Sequence, residues 1–557
     1  MRFRKVLAVF CSVFLLYGTV PLQVEGIRPG GYTEISDRAG LERISARPDG
    51  KYRLTCNIDL GGVEFFPIGT EDIPFSGVFD GNGYTVSGLL ATGSDGQCVG
   101  LFGYLYDAVI LDLTVRGTVS GGLCAGGIAG RSYASRILNC VSDVEVSGAL
   151  QTGGIVGAMG AEGQTESLLS GCTVNGTVSG SGEAVSVGGL VGMVYGAGTL
   201  RISDGLFSGE LTASGQDLSV GGICGTAYAA GKCVFSACRS GGHLTASGTG
   251  SLGGILGRGE GMGLLQVEYC SSWAEAKLQG DGTVKLGGIA GSMTALGKTA
   301  LLRCSFDGKG AAEGQTVFCG GIVGENRALS SGLALVEACS SSGWVTAKGG
   351  PFYVGGICGR NFAEASSEAS LSDCHASGSI GGSGGNGPAM HYAGGLVGQT
   401  GGYGTARVFR SVSAAAVSCD IPLHAGAFAG SAQAYDAGTC LMTGCYYIAD
   451  TEGDRFALRV SSQARQDPAS YPELNGVAPW VMTGIGPLLQ YFFVPGDTDG
   501  NSTVEVFDAL MILQMLAGGR TLTPEEQNRA DRDGNGRTDV YDAVLILRQL
   551  AGTVTEI

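Results

Sequence analysis

Between about residues 99 and 430 the apolar positions fall into one recurring phrase, Gly-Gly-(Ile/Leu)-x-Gly, set among short runs where apolar and small polar residues alternate. The first complete copy is Gly126-Gly127-Ile128-Ala129-Gly130, and others begin at Gly153, Gly188, Gly221, Gly253, Gly287, Gly320, Gly355 and Gly394. Looser copies flank them, Val99-Gly100-Leu101-Phe102-Gly103 before and Gly426-Ala427-Phe428-Ala429-Gly430 after, and successive copies start 27 to 39 residues apart. Alternation with period two predicts strands, and a repeat of this length predicts stacked coils in place of independent domains. The expected fold is mainly β, a parallel β-solenoid (β-helix) of about ten repeats over residues 99–430.

The flanks read differently. In residues 27–98, Leu41-Glu42-Arg43-Ile44 predicts a short helix and 51–60 and 75–86 predict strands, followed by a further strand at 109–115; 27–98 would cap the N-terminal end of the stack. Residues 431–493 run from a polar, Pro-interrupted stretch into bulky apolar residues around Trp480 and Leu488. They predict a second cap and a linker, because an open solenoid end presents unpaired strand edges. At the N-terminus Arg2, Arg4 and Lys5 precede an uncharged apolar run of fifteen residues, 6–20. That pattern predicts a signal peptide over 1–26 and a secreted, extracellular protein. The competing reading, a membrane anchor, wants roughly 20 apolar residues, and no later segment reads as transmembrane.

Composition narrows the function. The net charge of −16 excludes nucleic acid as a partner, since neutralising phosphates requires clustered Lys and Arg. Cysteines check the register: counted from the first Gly of a pentad, Cys238, Cys270 and Cys304 lie 17 residues on and Cys172, Cys339, Cys374 and Cys445 lie 19 on, with Phe207 and Ser411 in the same slots elsewhere. Offsets that differ by two keep one face of a strand, so these residues predict an inward stack, one per coil, about 4.8 Å apart. Eighteen cysteines, less Cys11 in the signal, leave an odd number for the mature chain, so at least one thiol is unpaired; local bridges at Cys224, Cys233 or Cys440 stay open. With no Cys-x-x-Cys and four His, at 243, 375, 391 and 424, the spacing does not suit zinc. The pentads lead into strands and lack Gly-Lys-Ser/Thr, so they do not read as phosphate cradles. A solenoid enzyme acting on polysaccharide would need paired carboxylates; the array offers only scattered ones, with Arg201, Asp204 and Glu210 as a weak candidate set, and no catalytic residue is assigned.

Taken together, the N-terminal strands and the pentads, roughly residues 40–490, resemble proteins that carry the GLUG repeat. The resemblance implies a parallel β-solenoid in secreted or surface-attached bacterial proteins and no defined activity.

The most specific chemistry lies in residues 494–557. Asp497, Asp499, Asn501, Glu505 and Asp508 place side-chain oxygens at alternating loop positions, with a backbone carbonyl at Thr503; Asp531, Asp533, Asn535, Asp539 and Asp542, with the carbonyl of Arg537, repeat the pattern 34 residues later. Ca²⁺ takes 6 to 8 oxygen ligands, which two such loops can supply for two ions. Pro495-Gly496 forbids an entering helix, so these are not ordinary EF-hands; each loop instead runs into an apolar helix, expected at 508–517 and 542–551. A stripe of Leu510, Leu513 and Ala517 against Val544, Leu547 and Ala551 would join the two helices, leaving Met511, Ile512, Met515, Leu545 and Ile546 as excess apolar surface. Loop then helix, twice, resembles a type I dockerin. The resemblance implies calcium-dependent folding and docking onto a cohesin module of a scaffoldin, through Val506, Phe507, Leu513 and Gln514 and through Val540, Tyr541, Leu547 and Arg548. Ser502 stands where the family usually has Gly, and apolar residues stand where clostridial dockerins carry Ser-Thr.

Three functions fit: a secreted non-catalytic component of a cellulosome-type or cell-surface complex, whose solenoid is a binding or spacing scaffold; a polysaccharide-degrading hydrolase or lyase; and an adhesin.

Overall fold

The computed structural model describes residues 31–94, 96–384, 390–420, 424–449, 456–474, 477, 480–483, 486–489, 498, 504, 506–518, 520–522, 524–530, 532 and 537–550. The predicted signal peptide, 1–26, lies outside them.

Alternating sequence produces alternating burial, and the chain winds into a parallel β-solenoid of about 11 turns. Each coil gives one strand to a 14-stranded sheet running from Thr33–Ile35 to Thr439–Thr443. From Phe102–Tyr106 to Ala429–Ala434 each also gives one strand to an 11-stranded sheet. The remainder of each coil, broken into shorter strands, builds a third sheet. Ala129 faces Val156, Val156 faces Val191 and Cys358 faces Val397, so coils of 27, 35 and 39 residues close on the same register. Part of the surplus lies in corner turns such as 162–165 and 329–332. Helix α1, Arg38–Arg43, where a helix was expected, is capped by Asp37, whose carboxylate accepts from the Gly40 N–H at 2.7 Å. Its Leu41 is buried in the main core together with Ile44 just beyond it.

The pentads hold neighbouring coils together. Ile128 and Ala129 both donate their N–H to the carbonyl of Ile155, and Ile155 and Val156 both to that of Leu190; the pattern recurs at Ile223, Ile255 and Ile289. The third pentad residue points into the core in every copy, from Leu101 through Ile128, Ile255 and Ile357 to Phe428, all with no solvent exposure. The pentad glycines are there for close approach and not for left-handed backbone: none of the complete copies has a glycine at positive φ. A Cβ on Gly221 would lie against the carbonyl oxygen of Cys224 and the amide of Gly257 in the next coil, and the other copies repeat this. The left-handed corner lies elsewhere, at one residue per coil: Asp112, Asn139, Gly171, Asp204, Ala237, Tyr269, Arg303, Ala338, Asp373, Arg410 and Gly444.

Directly after that corner comes the cysteine column. It runs Cys140, Cys172, Gly205, Cys238, Cys270, Cys304, Cys339, Cys374, Ser411, Cys445, as the adjacent ladder pairs require. The inward stack is as expected in its parity, with two differences. Cys140 extends it, and Gly205 takes the slot assigned to Phe207, which lies two residues on in the next inward column between Val174 and Ser240. The 17 described cysteines are free thiols. The stacked ones hydrogen-bond along the axis, Cys238 Sγ–H to the Ile202 carbonyl at 3.5 Å and Cys304 to that of Val267 at 3.5 Å. Beyond the last coils Tyr446, Val460, Tyr471, Leu474 and Trp480 form a second apolar cluster, and the Trp480 indole N–H donates to Asp373 Oδ1 at 3.0 Å. Among the described residues no helix is long and apolar enough to cross a membrane.

These contacts set opposite outcomes for glycine and alanine. Gly221→Ala is expected to cost about 3 kcal/mol by overpacking, while Ala237→Gly, at a φ of 52°, is expected to gain about 0.5–1 kcal/mol; urea midpoints of the two variants check both signs.

The buried thiols give a pH dependence. Burial pushes Cys319 and Cys374 up to about 12 from the ordinary 9.0. A thiol that ionises less readily in the fold contributes stability below its unfolded pKa and loses it as pH rises toward the folded one. Thermal midpoints should therefore hold up to about pH 8 and decline between about 9 and 12, with a shallower decline in Cys319→Ala.

Candidate functional site

In the dockerin-like segment the described residues form α2, Val506–Leu516, α3, Pro524–Ala530, and α4, Val540–Leu550. Helices α2 and α4 start two residues earlier than expected. The cause is visible in the second copy: Asp542, the third residue of α4, accepts the Asp539 N–H on Oδ2 at 2.8 Å, which closes the first helical turn on its own cap. Its other oxygen accepts the Arg532 N–H at 2.8 Å, tying the helix start back to the beginning of the loop. Asp508 holds the equivalent place in α2, and both carboxylates have no solvent exposure.

Of the predicted calcium ligands, Asp508, Arg537, Asp539 and Asp542 are among the described residues; Asp497, Asp499, Asn501, Thr503, Glu505, Asp531, Asp533 and Asn535 lie outside them. Among the described residues no three His, Cys, Asp or Glu side chains are grouped so that they could hold a metal ion. The donors present fit the ion: each loop ends on a carboxylate withdrawn from water, an expensive placement unless hydrogen bonds or a cation compensate it, and an all-oxygen set suits a hard dication.

The helix faces correct the sequence reading. The core between the helices is Ala509, Met511, Ile512, Ala543 and Ile546 with Leu522 and Ala530, so Met511, Ile512 and Ile546 are inside, and Leu545 is buried too. Leu510 and Val544, expected to join the helices, are exposed instead, while Leu513, Met515 and Leu547 pack at the margin. The partner-binding candidates Val506, Phe507 and Val540 are exposed, as is Gln514. Tyr541 and Arg548 lie on α4, with side chains outside the described residues.

On the solenoid, Arg201, Asp204 and Glu210 do not converge. Arg201 pairs with Glu166 at 2.7 Å, Asp204 is a corner residue, and Glu210 faces His243 on the third sheet. Sequence reasoning missed a cleft that the pentads create. Two outward columns flank the pentads: Cys98, Cys124, Gln151, Ser186, Ser219, Ser251, Lys285, Phe318, Tyr353 and Tyr392 on the third sheet, and Tyr104, Arg131, Thr226, Arg258, Ser292, Glu325 and Arg360 among those on the 11-stranded sheet. They close on each other, with Ser186 Oγ and Thr226 Oγ1 2.6 Å apart and Ser251 Oγ and Ser292 Oγ 3.1 Å apart.

Toward the C-terminal coils the cleft becomes charged and aromatic. Glu325, buried, pairs with Lys285 Nζ at 2.7 Å and with Arg360 at 3.5 Å. The Arg360 guanidinium lies 4.0 Å over the Phe362 ring and also faces Phe318 and Tyr353. Phe318, Tyr353, Tyr392 and His424 stack along the axis at centroid distances of 4.9, 5.3 and 5.0 Å. At the other end Cys98 and Cys124 sit in register beside Tyr104 and Arg131, and a hydrogen bond from Cys124 brings the Cys98 thiol down to about 7. The only signal for these columns was a fixed offset from the pentad, two residues before it and five after its first glycine.

Residues 495–551 match the dockerin type I domain family, and residues 350–381, around one pentad, match the GLUG motif. Halomucin of Haloquadratum walsbyi is 34% identical over 112 residues, 18% of this chain and 1% of its own length. A protein of Evansella cellulosilytica, provisionally named a Gly-rich membrane protein, is 34% identical over 85 residues, 14% of this chain and 10% of its own. The chain thus spans a tenth or less of these curated relatives. A crystal structure provisionally described as an immunoglobulin A1 protease from Bacteroides ovatus shares 21% identity, covering 49% of this chain and 75% of its own with a TM-score of 0.35. By its coils and its matches, this chain is a parallel β-solenoid that carries a GLUG motif at 350–381 and a type I dockerin domain at 495–551.

Proposed function

We propose that the chain is a secreted, non-catalytic component of a cellulosome-type or cell-surface complex. The solenoid, with caps over residues 27–98 and 431–493, serves as a binding or spacing scaffold. The dockerin, residues 494–557, attaches it to a cohesin module of a scaffoldin in a calcium-dependent way. The observation that carries this reading is the dockerin type I match over 495–551. The internal duplication supports it: Val506 and Leu510 on α2 and Val540 and Val544 on α4 are exposed apolar residues at equivalent places, which gives a partner two related apolar faces. Two calcium ions, one in each loop, would be held by Asp497, Asp499, Asn501, Glu505 and Asp508 with the Thr503 carbonyl, and by Asp531, Asp533, Asn535, Asp539 and Asp542 with the Arg537 carbonyl. Their role is to neutralise carboxylates crowded at the helix starts, so that the loops close and the helices present their outer faces.

Capture of the full chain on immobilised type I cohesin tests this. Capture should require calcium, disappear with EDTA, and fall at least about tenfold in Asp508→Ala/Asp542→Ala; capture that survives chelation contradicts the calcium assignment. Release of reducing sugar or unsaturated product from a polysaccharide panel would replace the display role with catalysis, and retention on host surface proteins without turnover would favour an adhesin.

A further inference from the structure

On the outer face of the third sheet His243, Glu275, Lys309 and Trp344 stand in one ladder column, and Thr245, Lys277, Ala311 and Thr346 in the next. A shallow depression of about 380 Å³ lies over them. Its floor is open because Ala311 puts nothing larger than a methyl group between Lys277 and Thr346. Trp344 is 61% exposed, although burying an indole is worth more than burying almost any other side chain. The next residue in its column, Ser379, is too small to cover it. Trp480, by contrast, is packed away in the C-terminal cluster.

The polar groups around the indole are arranged by charge. Glu275 accepts from Lys309 Nζ at 2.8 Å and lies 3.5 Å from His243 Nδ1. The Lys309 ammonium holds the Glu275 carboxyl below its ordinary value, so it stays an ionised hydrogen-bond acceptor. Lys309 is thereby neutralised, but Lys277 has no carboxylate partner among the described residues. An uncompensated cation in this hollow favours an anionic group there.

We propose that this depression is a binding site for an acidic saccharide, one sugar ring stacked on Trp344 and a uronate carboxylate on Lys277. The C–H face of a pyranose complements the electron-rich indole face. Its hydroxyl rim is met by the Thr245 and Thr346 hydroxyls, which both donate and accept, by the His243 ring and by Glu275, which only accepts. Trp344 and Lys277 are two coils and two residues apart, about 12 Å, the span of about two sugar units. An extended peptide is a poorer fit, because the strands under the hollow are paired on both sides and offer no edge for it to join. The site gives the display role a ligand class and rests on that reading, yet its assay needs no cohesin, so glycan binding and cohesin capture fail or succeed separately.

Tryptophan emission of the full chain titrated with tetragalacturonate is the test. A saturable change is expected in the native chain and in Trp273→Phe, which removes the other exposed indole, and it should vanish in Trp344→Ala. Lys277→Gln, at an exposed position and so safe for folding, should weaken binding about tenfold, and cellotetraose should bind weaker by a similar factor. The proposal is overturned if the native chain shows no saturable binding by emission or calorimetry, or if Trp344→Ala with native circular dichroism binds as well as the native chain. Equal affinity for cellotetraose, or an unaltered Lys277→Gln, overturns the acidic assignment.

Discussion

Everything in the solenoid depends on how closely one pentad can approach the next. The amides of Ile128 and Ala129 share the carbonyl of Ile155, which is possible only because Gly126, Gly127 and Gly130 have no Cβ to hold the coils apart. Once that contact is made, Ile128, Ile155 and Leu190 stack in the core and the strands on both sides are forced into register. The rest of the coil is then free to vary in length. That is why a repeat running from 27 to 39 residues builds an unbroken ladder.

The pentads were therefore the most legible part of the sequence, but for half of the right reason. Glycine is required by contact and not by conformation; the left-handed turn is made elsewhere, by Asp, Asn or Gly in six coils and by residues such as Ala237 and Arg303, which carry no such signature, in the other five. The cysteine column was legible because parity along a strand survives any even offset. It was misplaced at Phe207 because parity does not say where the corner falls, and the slot belongs to Gly205, where a Cβ would meet Leu190. The cleft was legible only as a fixed offset from each pentad, which says nothing of what meets across it. Lys285, Glu325 and Arg360 are tens of residues apart and meet only when coils of unequal length are laid on one another.

The dockerin domain was legible from a loop running into an apolar helix, twice, whereas the helix faces could not be read by drawing a wheel. Helices α2 and α4 each carry two adjacent apolar arcs, and periodicity alone does not decide which arc meets the other helix. Comparing the two copies would have helped. Ala509 with Ala543 and Ile512 with Ile546 pair a small residue with a branched one at identical places, a combination that lets two helices approach, and these are the buried positions. Leu510 with Val544 differ in shape between the copies, as a surface that faces a partner can.

Stability and function divide along the same lines. Ion pairs between neighbouring coils, such as Arg116–Asp143 and Lys348–Glu313, sit on exposed faces and contribute at most about 1 kcal/mol each. The stack itself is held by pentads and apolar columns that make no reference to what the outer columns carry. A hollow such as the one at Trp344 must be assembled from consecutive coils, with Glu275, Lys309 and Trp344 each supplied by a different one. Substituting an outward residue in one coil changes such a site without touching the ladder, so this architecture can alter what it binds while keeping how it folds.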